Sequence, residues 1–325
     1  MAISNLFIIG AGFTKAICDN APLNKDFLEK VVGPEPDNSP LGRIWSEYGL
    51  SDIEILLTRF DLDLHNETGC FTENDRKDIN EQIAKYFSRF RFQIDAKFLD
   101  KVRWLLPFIH ILSDNDVIIS LNYDCFLEGF LDYYEVWSPR GGYHIIKNMN
   151  DDSLPENQRN IQILKIHGSE NFREASFFKK PESMYVDVEI NSTLFPRSGK
   201  NQQLWGGLDS SPYVIAPSFI KQFALELQYL LLDAIQFAKI ATNIIIIGCG
   251  LRPEDSHLQL VLNGFLKDPL WKKKRIFIVS PDACKKKKEI EQFWGRKIFN
   301  QENLIIWNSV FDENAILWLS EKLRN

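Results

Sequence analysis

The chain has 325 residues, of which 45% are hydrophobic and 25% charged, with a formal net charge of −6. A chain of this length can bury a large core, either as one large domain or as two modest ones. Its acidic balance creates no overall field that attracts nucleic acid, so direct DNA or RNA binding is not expected.

The cysteines are scattered, and no pair has the spacing of a metal clip: Cys18, Cys70, Cys125, Cys249 and Cys284. This pattern argues for a reducing compartment and against both a disulfide framework and a zinc ribbon. The first apolar run has no basic region before it and ends in glycines, which indicates a core strand rather than a signal peptide. The longest apolar tract, residues 223–248, is interrupted by charges, so no membrane span is expected. We therefore expect a soluble cytoplasmic protein.

The first element is a short apolar strand that breaks at Gly10-Ala11-Gly12 and continues as a helix. The N–H groups at such a helix start favour anions, most often a nucleotide phosphate or pyrophosphate. Gly10 and Gly12 would let the backbone approach a pyrophosphate, and Thr14 would be available to hydrogen-bond it. The alternative is a Gly-Ala-Gly turn that joins strand to helix for packing reasons alone.

Residues 41–112 show helical periodicity, because apolar residues recur at spacings of three and four. A dehydrogenase-type dinucleotide fold would place a second strand with an acidic end roughly 20 residues after the glycines. No such strand is apparent, which argues against a dehydrogenase. We predict a helical insertion here, and its position and amphipathicity favour subunit contacts or a lid.

Later apolar runs predict further strands, at 117–121, 161–166, 244–247 and 275–279, with a last short one at 304–307. The run 244–247 is β-branched throughout, which is typical of a central parallel strand covered on both faces. The predicted fold class is α/β: a Rossmann-like parallel sheet with helices on both faces and a helical insertion. We assign a single domain, 1–325, with the helical insertion at 41–112 and a loop-rich insertion region at 137–217.

The strand that opens the chain and the first four of these runs each end in small or polar residues. The ends are Gly10-Ala11-Gly12, Asn122-Tyr123-Asp124, His167-Gly168-Ser169, Gly248-Cys249-Gly250 and Ser280-Pro281-Asp282. In an open parallel sheet, ligands bind at the carboxyl ends of the strands. We therefore expect these distant segments to converge on one crevice.

Asn122 and Asp124 lie two residues apart and leave their strand on the same side. An asparagine can hold a sugar hydroxyl or a water, and an aspartate can accept a hydrogen bond from an amide N–H. The alternative is that Asn122-Tyr123-Asp124 only caps the helix that follows.

His167 is placed at a strand end before a glycine, where a near-neutral imidazole can act as general base toward a ribose hydroxyl or water. A structural histidine is the alternative. His65, His110 and His144 lie in helical or loop contexts and are interpreted as structural. For His257 a surface helix position is favoured, and a place in the lining of the same crevice is the alternative.

Two short basic runs stand out against the acidic background, at 272–275 and 285–288. They flank a predicted strand and the start of a helix. Such runs are most often a solvated face, and a patch that binds nucleic acid or a partner protein is the alternative.

The strand ends together resemble the sirtuin-like family, in particular its prokaryotic NAD-consuming branch found in antiphage defence. The segments that carry the resemblance are Gly10-Ala11-Gly12-Phe13-Thr14, Asn122-Tyr123-Asp124, His167-Gly168-Ser169, Gly248-Cys249-Gly250-Leu251 and Val279-Ser280-Pro281. The resemblance implies that Asn122 positions water and the nicotinamide ribose, that Asp124 binds the carboxamide, and that His167 is catalytic. It also implies that the last two segments hold the adenosine half of NAD.

No cysteine lies between His167 and Cys249, so the zinc module of deacylating sirtuins is absent from the sequence. We therefore expect no zinc and no other metal site, and cleavage of the cofactor is favoured over protein deacylation. The resemblance implies an NAD hydrolase with NAD as substrate, a defence effector that depletes NAD. It also implies a homo-oligomer, and a partner ATPase or other defence protein acting in trans. The alternatives are a sensor that binds NAD or ADP-ribose, and an NAD-dependent deacylase or ADP-ribosyltransferase.

Overall fold

The computed structural model describes residues 4–66, 71–143, 161–174, 186–201, 212–219, 225–251, 255–266, 274–294 and 303–324. The strands in chain order are β1 (Asn5–Ile9), β2 (Val117–Ser120), β3 (Gln162–Lys165), β4 (Gly168–Glu174), β5 (Val186–Val188), β6 (Pro212–Val214), β7 (Asn243–Ile247), β8 (Arg275–Val279) and β9 (Leu304–Trp307). The predictions for Cys70, His144 and residues 272–273 lie outside the described residues.

The α-helices in chain order are α1 (Ala11–Ile17), α2 (Phe27–Val32), α3 (Pro40–Tyr48), α4 (Ile53–His65), α5 (Glu73–Phe87), α6 (Ala96–Lys101), α7 (Leu106–Ile111), α8 (Phe126–Tyr133), α9 (Pro139–Gly142), α10 (Leu225–Ile240), α11 (Ser256–Leu266), α12 (Ala283–Trp294) and α13 (Glu313–Arg324). None of the helices described is long and apolar enough to cross a membrane.

Six strands form a parallel sheet in the order β3-β2-β1-β7-β8-β9. The chain therefore builds outward from β1 to β3 on one side, returns to the centre, and builds outward from β7 to β9 on the other. This is the strand order of the doubly wound dinucleotide-binding folds, in which a crevice opens where the winding direction reverses. The predicted α/β fold with a parallel sheet is confirmed.

Helices cover both faces of this sheet. Phe7, Ile245 and Phe277 are neighbours across three adjacent strands and point to the same face. The ring of Phe7 contacts Phe108 of α7 at 5.7 Å between centroids, and that of Phe277 contacts Trp318 of α13 at 6.1 Å. The alternate residues of β7 are equally buried, so the opposite face is covered as well.

A second apolar core lies among helices α2 to α5. Its members include Phe27, Leu41, Ile53, Leu57, Phe60, Ile79, Ile83 and Phe87. Tyr123, Val214 and Ala216 belong to the same core, so it extends to the end of β2 and to β6. Residues Val102 to Leu112 pack instead in the core of the parallel sheet. All secondary structure in the described part of 41–112 is helical. The assignment of 41–112 and 137–217 as insertions stays a prediction.

A small antiparallel sheet, in the order β5-β4-β6, lies within the stretch predicted to be loop-rich. Its central strand was missed because polar residues fill its buried positions. Ser169, Glu170 and Asn171 are at most 1% exposed, and each side chain has a hydrogen-bond partner in another part of the chain. The Arg91 guanidinium, for example, forms an ion pair with Glu170 at 2.6 Å. Such long-range partners leave no local periodicity.

Candidate active site

A cleft of about 1440 Å³ opens at the carboxyl ends of the parallel strands. Most of the predicted site residues line it: Gly10, Ala11, Gly12, Thr14, Asn122, Asp124, His167, Gly248, Gly250 and Ser280. Segments distant in sequence thus meet in one crevice, as their positions at strand ends predicted. The role of each residue there stays a prediction.

Some predicted site residues do not line the cleft: Phe13, Gly168, Ser169 and Leu251. Phe13 is 1% exposed, and its ring packs against Phe311 at 5.2 Å between centroids. The Ser169 hydroxyl donates to the Tyr123 carbonyl at 3.2 Å. Gly168 has a φ of +75° where the chain turns from β3 into β4. These residues build the frame around the cleft rather than its surface.

The glycines after β1 interlock with the loop after β7. The Gly10 N–H donates to the Ile247 carbonyl at 3.0 Å, and the Gly12 N–H donates to the Gly248 carbonyl at 2.8 Å. A Cβ on Gly12 would lie 2.7 Å from the Gly248 Cα. The neighbouring loop therefore accepts the hydrogen bonds of both N–H groups, and the approach of a pyrophosphate to this turn stays a prediction. Packing alone accounts for both glycines.

Gly248→Ala is expected to destabilise the protein by about 3 kcal/mol, from left-handed strain plus steric overlap. Gly248 has a φ of +59°, and its added Cβ would lie 2.4 Å from the Phe13 nitrogen and 2.5 Å from the Gly12 carbonyl carbon. Gly49→Ala is the matched control, since Gly49 has a φ of +63° with nothing within 4 Å. The free energy of unfolding of Gly49→Ala should fall by only about 1 kcal/mol. Urea unfolding compares the two, and equal losses would contradict the interlocking.

Thr14 links the first strand end to the second. The Asn122 Nδ2 donates to the Gly10 carbonyl at 3.1 Å and to the Thr14 Oγ1 at 3.0 Å. The Thr14 hydroxyl in turn donates to the Asp124 Oδ2 at 3.0 Å. Thr14 therefore uses its only hydroxyl hydrogen inside the protein, and a hydrogen bond between Thr14 and a pyrophosphate stays a prediction. Within the described residues no group donates to the Asn122 Oδ1, which leaves that oxygen for the cleft.

Asp124 is 3% exposed, and its Oδ1 accepts from the backbone N–H of Phe126 at 3.1 Å. Phe126 is the first residue of α8 and Cys125 is its N-cap, so the Asp124 carboxyl contacts the start of this helix from one residue before the cap. Burial raises the pKa of Asp124 to about 7, against the charge of Lys165, which lowers it. The carboxyl group therefore exchanges its proton near neutral pH.

Asp124→Asn should change how stability depends on pH. In the parent the folded state keeps the Asp124 proton up to about pH 7, whereas the unfolded state releases it near the ordinary pKa of 3.8. The stability contribution of this group is present below the unfolded pKa and is lost as pH rises through the folded pKa. The variant should therefore gain about 4 kcal/mol relative to the parent between about pH 4 and pH 8, since the pKa rises by roughly three units at about 1.4 kcal/mol each. Urea unfolding at several pH values measures this difference, and parallel profiles would contradict it.

His167 occupies the short turn between β3 and β4, with its side chain 8% exposed and lining the cleft. Its backbone carbonyl accepts from the Ile215 N–H at 2.9 Å. His257 is also only 8% exposed, and its ring centroid lies 6.0 Å from that of His167. The expectation of a surface position for His257 is wrong. The turn that covers it comes from a distant part of the sequence, which helical periodicity does not reveal.

A buried ion pair supports the loop after β2. Lys165 and Glu128 are 0% and 1% exposed, with 2.8 Å between Nζ and Oε1. The same Nζ donates to the Asp124 carbonyl at 2.6 Å. Burial alone would lower the pKa of Lys165, but Glu128 and the other acidic groups around it raise it overall. Sequence reasoning missed this pair, which fixes the backbone between Asn122 and α8.

The far end of the cleft is formed by the connections after β8 and β9. Asp282 lines it, as expected for the end of β8. Lys285, Lys286 and residues 310–314 also line it, and sequence reasoning assigned none of these to the site. The Lys286 Nζ donates to the Ser280 Oγ at 2.7 Å and to the Asp282 Oδ1 at 2.6 Å. Lys286 is 5% exposed, so the expected solvated face is wrong for this lysine. Two neighbouring groups accept its hydrogen bonds.

The helical core closes the remaining side of the cleft, with Leu23, Asn24, Phe27, Asp52, Glu54 and Phe87 among the lining residues. Tyr123 joins this core to the strand end, since its ring contacts Phe87 at 5.2 Å between centroids. Its hydroxyl donates to the Ile215 carbonyl at 2.6 Å, and burial raises its pKa. The cleft therefore lies between two packed units.

The strand order and the cleft at its point of reversal define a doubly wound α/β protein of the dinucleotide-binding type. No protein-family model and no curated protein matches the chain. Among solved structures, the chain is similar to a Sir2 homologue in complex with ADP-ribose, at 12% identity over 99% of this chain and 92% of that one, with a TM-score of 0.45. A Sir2 homologue in complex with NAD matches at 12% identity over 99% and 90%, with a TM-score of 0.40.

Among the residues described, no group of three or more histidine, cysteine, aspartate or glutamate side chains is placed to hold a metal ion.

Proposed function

We propose that the protein is a sirtuin-like NAD hydrolase that cleaves the nicotinamide–ribose bond to give ADP-ribose and nicotinamide. One observation carries the proposal: the cleft at the reversal point of the sheet is lined by Asn122, Asp124 and His167. Sheets with this strand order bind dinucleotides across that crevice.

In the proposed reaction, the bond between the ribose C1′ and the nicotinamide ring nitrogen breaks, and its electron pair stays with nicotinamide, which leaves as a neutral molecule. Positive charge develops on the ribose. A water oxygen bonds to C1′, and the proton that it loses passes to His167. Correct placement of the water relative to C1′ supplies much of the rate enhancement in such a displacement.

The hydrogen bonds of the site support distinct roles for its polar groups. Both hydrogens of the Asn122 amide are donated to the protein, so its Oδ1 is the atom available to accept a hydrogen bond from the attacking water. The Asp124 carboxyl accepts from Thr14 and Phe126 and is held rigidly, with further lone pairs for the N–H of a carboxamide. Prearranged groups of this kind stabilise developing charge without reorganising.

Incubation of the purified protein with NAD tests the proposal. Separation of the products by chromatography should show ADP-ribose and nicotinamide in equal amounts, with His167→Ala inactive. Intact NAD together with tight binding by calorimetry would identify a sensor instead. Deacylation of an acyl-lysine peptide, with O-acyl-ADP-ribose as product, would identify a deacylase.

We further propose, from the resemblance of the five segments to the antiphage branch, that NAD depletion is a defence response. The active form would be a homo-oligomer, switched on by an infection trigger or a partner ATPase. Cellular NAD measured during phage infection should fall in cells with the parent protein and stay constant in cells with His167→Ala. Equal NAD levels in the two strains would contradict the defence role.

A further inference from the structure

Two histidines from distant segments share a buried contact at the wall of the cleft. The rings of His167 and His257 have centroids 6.0 Å apart and planes at 78°, an edge-to-face arrangement. Each side chain is 8% exposed. His167 lines the cleft, whereas His257 lies behind it and is not a lining residue. His257 therefore contacts the predicted base without reaching a ligand.

The backbone on both sides of this contact is fixed. His167 follows β3 directly, and its carbonyl is bonded to the Ile215 N–H at 2.9 Å. His257 lies in the first turn of α11, which packs against α10 through the close approach of Gly264 to Ile235. With both main chains held, the ring of one histidine sets the orientation that the other can adopt.

We propose that His257 is a positioning residue for His167, holding its imidazole edge-on toward the cleft and keeping it neutral so that it can accept a proton. That His167 acts as a base rests on the proposed function. Its structural and electrostatic parts can be tested without any turnover of NAD.

The electrostatic part follows from the short distance between the rings. Two unit positive charges about 6 Å apart at an effective dielectric constant of about 20 oppose each other by the equivalent of roughly two pH units. Protonation of one imidazole therefore opposes protonation of the other. Among the described residues, other titratable groups that line the cleft include Asp255 before α11, Asp124 and Tyr123 after β2, Glu54 on α4 and Cys249 after β7. These groups are unchanged by a substitution at His257, so a comparison of parent and variant isolates the effect of the His257 ring.

NMR titration of the histidine ring protons tests the coupling on the full-length protein. His257→Phe keeps an aromatic ring at the contact and removes its charge, so the pKa of His167 should rise by about one to two units. His257→Gln removes the charge with a polar side chain, should give the same rise, and serves if the phenylalanine variant does not fold. His110→Phe is the control, since His110 is an exposed histidine of α7, and the His167 titration should not move.

The acidic limb of the pH profile of kcat/KM for NAD should move upward by the same amount in His257→Phe. A His167 titration that is unchanged in both His257 variants overturns the proposal, whether or not NAD is cleaved. A fall in kcat without any shift in titration also overturns it, because that is the result of a packing role alone. A shifted titration in a protein that leaves NAD intact supports the coupling and rejects the hydrolase.

Discussion

Asn122→Ala is expected to lower kcat for NAD cleavage by about a hundred- to ten-thousand-fold, the usual range for loss of one catalytic contact. The variant removes the Oδ1 that orients the attacking water. It also removes the two hydrogen bonds to Gly10 and Thr14, at about 1 kcal/mol each. Product formation at saturating NAD, measured alongside urea unfolding, separates the loss of activity from the loss of stability.

Asn171→Ala is the matched control for this variant. Asn171 is a fully buried asparagine of β4, and its Nδ2 also has two acceptors, the Tyr143 hydroxyl at 3.3 Å and the Glu189 carbonyl at 3.4 Å. It does not line the cleft, so its replacement should cost stability and leave kcat unchanged. If both variants lost activity in proportion to their stability, Asn122 would have no role in the chemistry.

The architecture of the parallel sheet could be predicted because its signals are local. The strand β7 is a β-branched apolar run, and only a strand buried on both faces needs such a run. Each strand is followed at once by glycines or polar residues, which marks the carboxyl edge where a cleft forms. The convergence of Asn122, Asp124 and His167 followed from these positions alone.

The side-chain partners within the site could not be predicted, because each joins residues that are distant in sequence. Lys165 and Glu128 are ordinary charged residues when taken one at a time, and only the contact of β3 with α8, distant in sequence, buries them together. His257 shows helical periodicity that is compatible with an exposed face, yet the turn at His167 covers it. A tertiary contact of this kind leaves no periodic pattern in either segment.

The glycines show a third situation, in which the sequence left two physical explanations open. Gly12 is compatible with both phosphate binding and close packing. A Cβ at this position would lie 2.7 Å from the Gly248 Cα, so packing requires the glycine whatever the ligand. The neighbour that decides this is Gly248, which lies far along the chain from the first strand and helix.

Lys165→Met is expected to destabilise the fold by about 3–5 kcal/mol. The substitution leaves the Glu128 carboxylate buried without its counter-charge and removes the hydrogen bond of 2.6 Å to the Asp124 carbonyl. Lys165 is 0% exposed, so water cannot take over either contact. Urea unfolding at neutral pH measures the loss.

The double variant Lys165→Met with Glu128→Leu separates the uncompensated charge from the rest of the loss. Replacing both members of a buried ion pair by apolar residues of similar size is often neutral or stabilising, because neither charge then has to be desolvated. The double variant should therefore be more stable than Lys165→Met alone. It should remain less stable than the parent by about 1 kcal/mol, because the Asp124 carbonyl still lacks its donor. A double variant as unstable as the single one would show that packing around the Lys165 side chain, and not charge, stabilises the loop that carries Asn122 and Asp124.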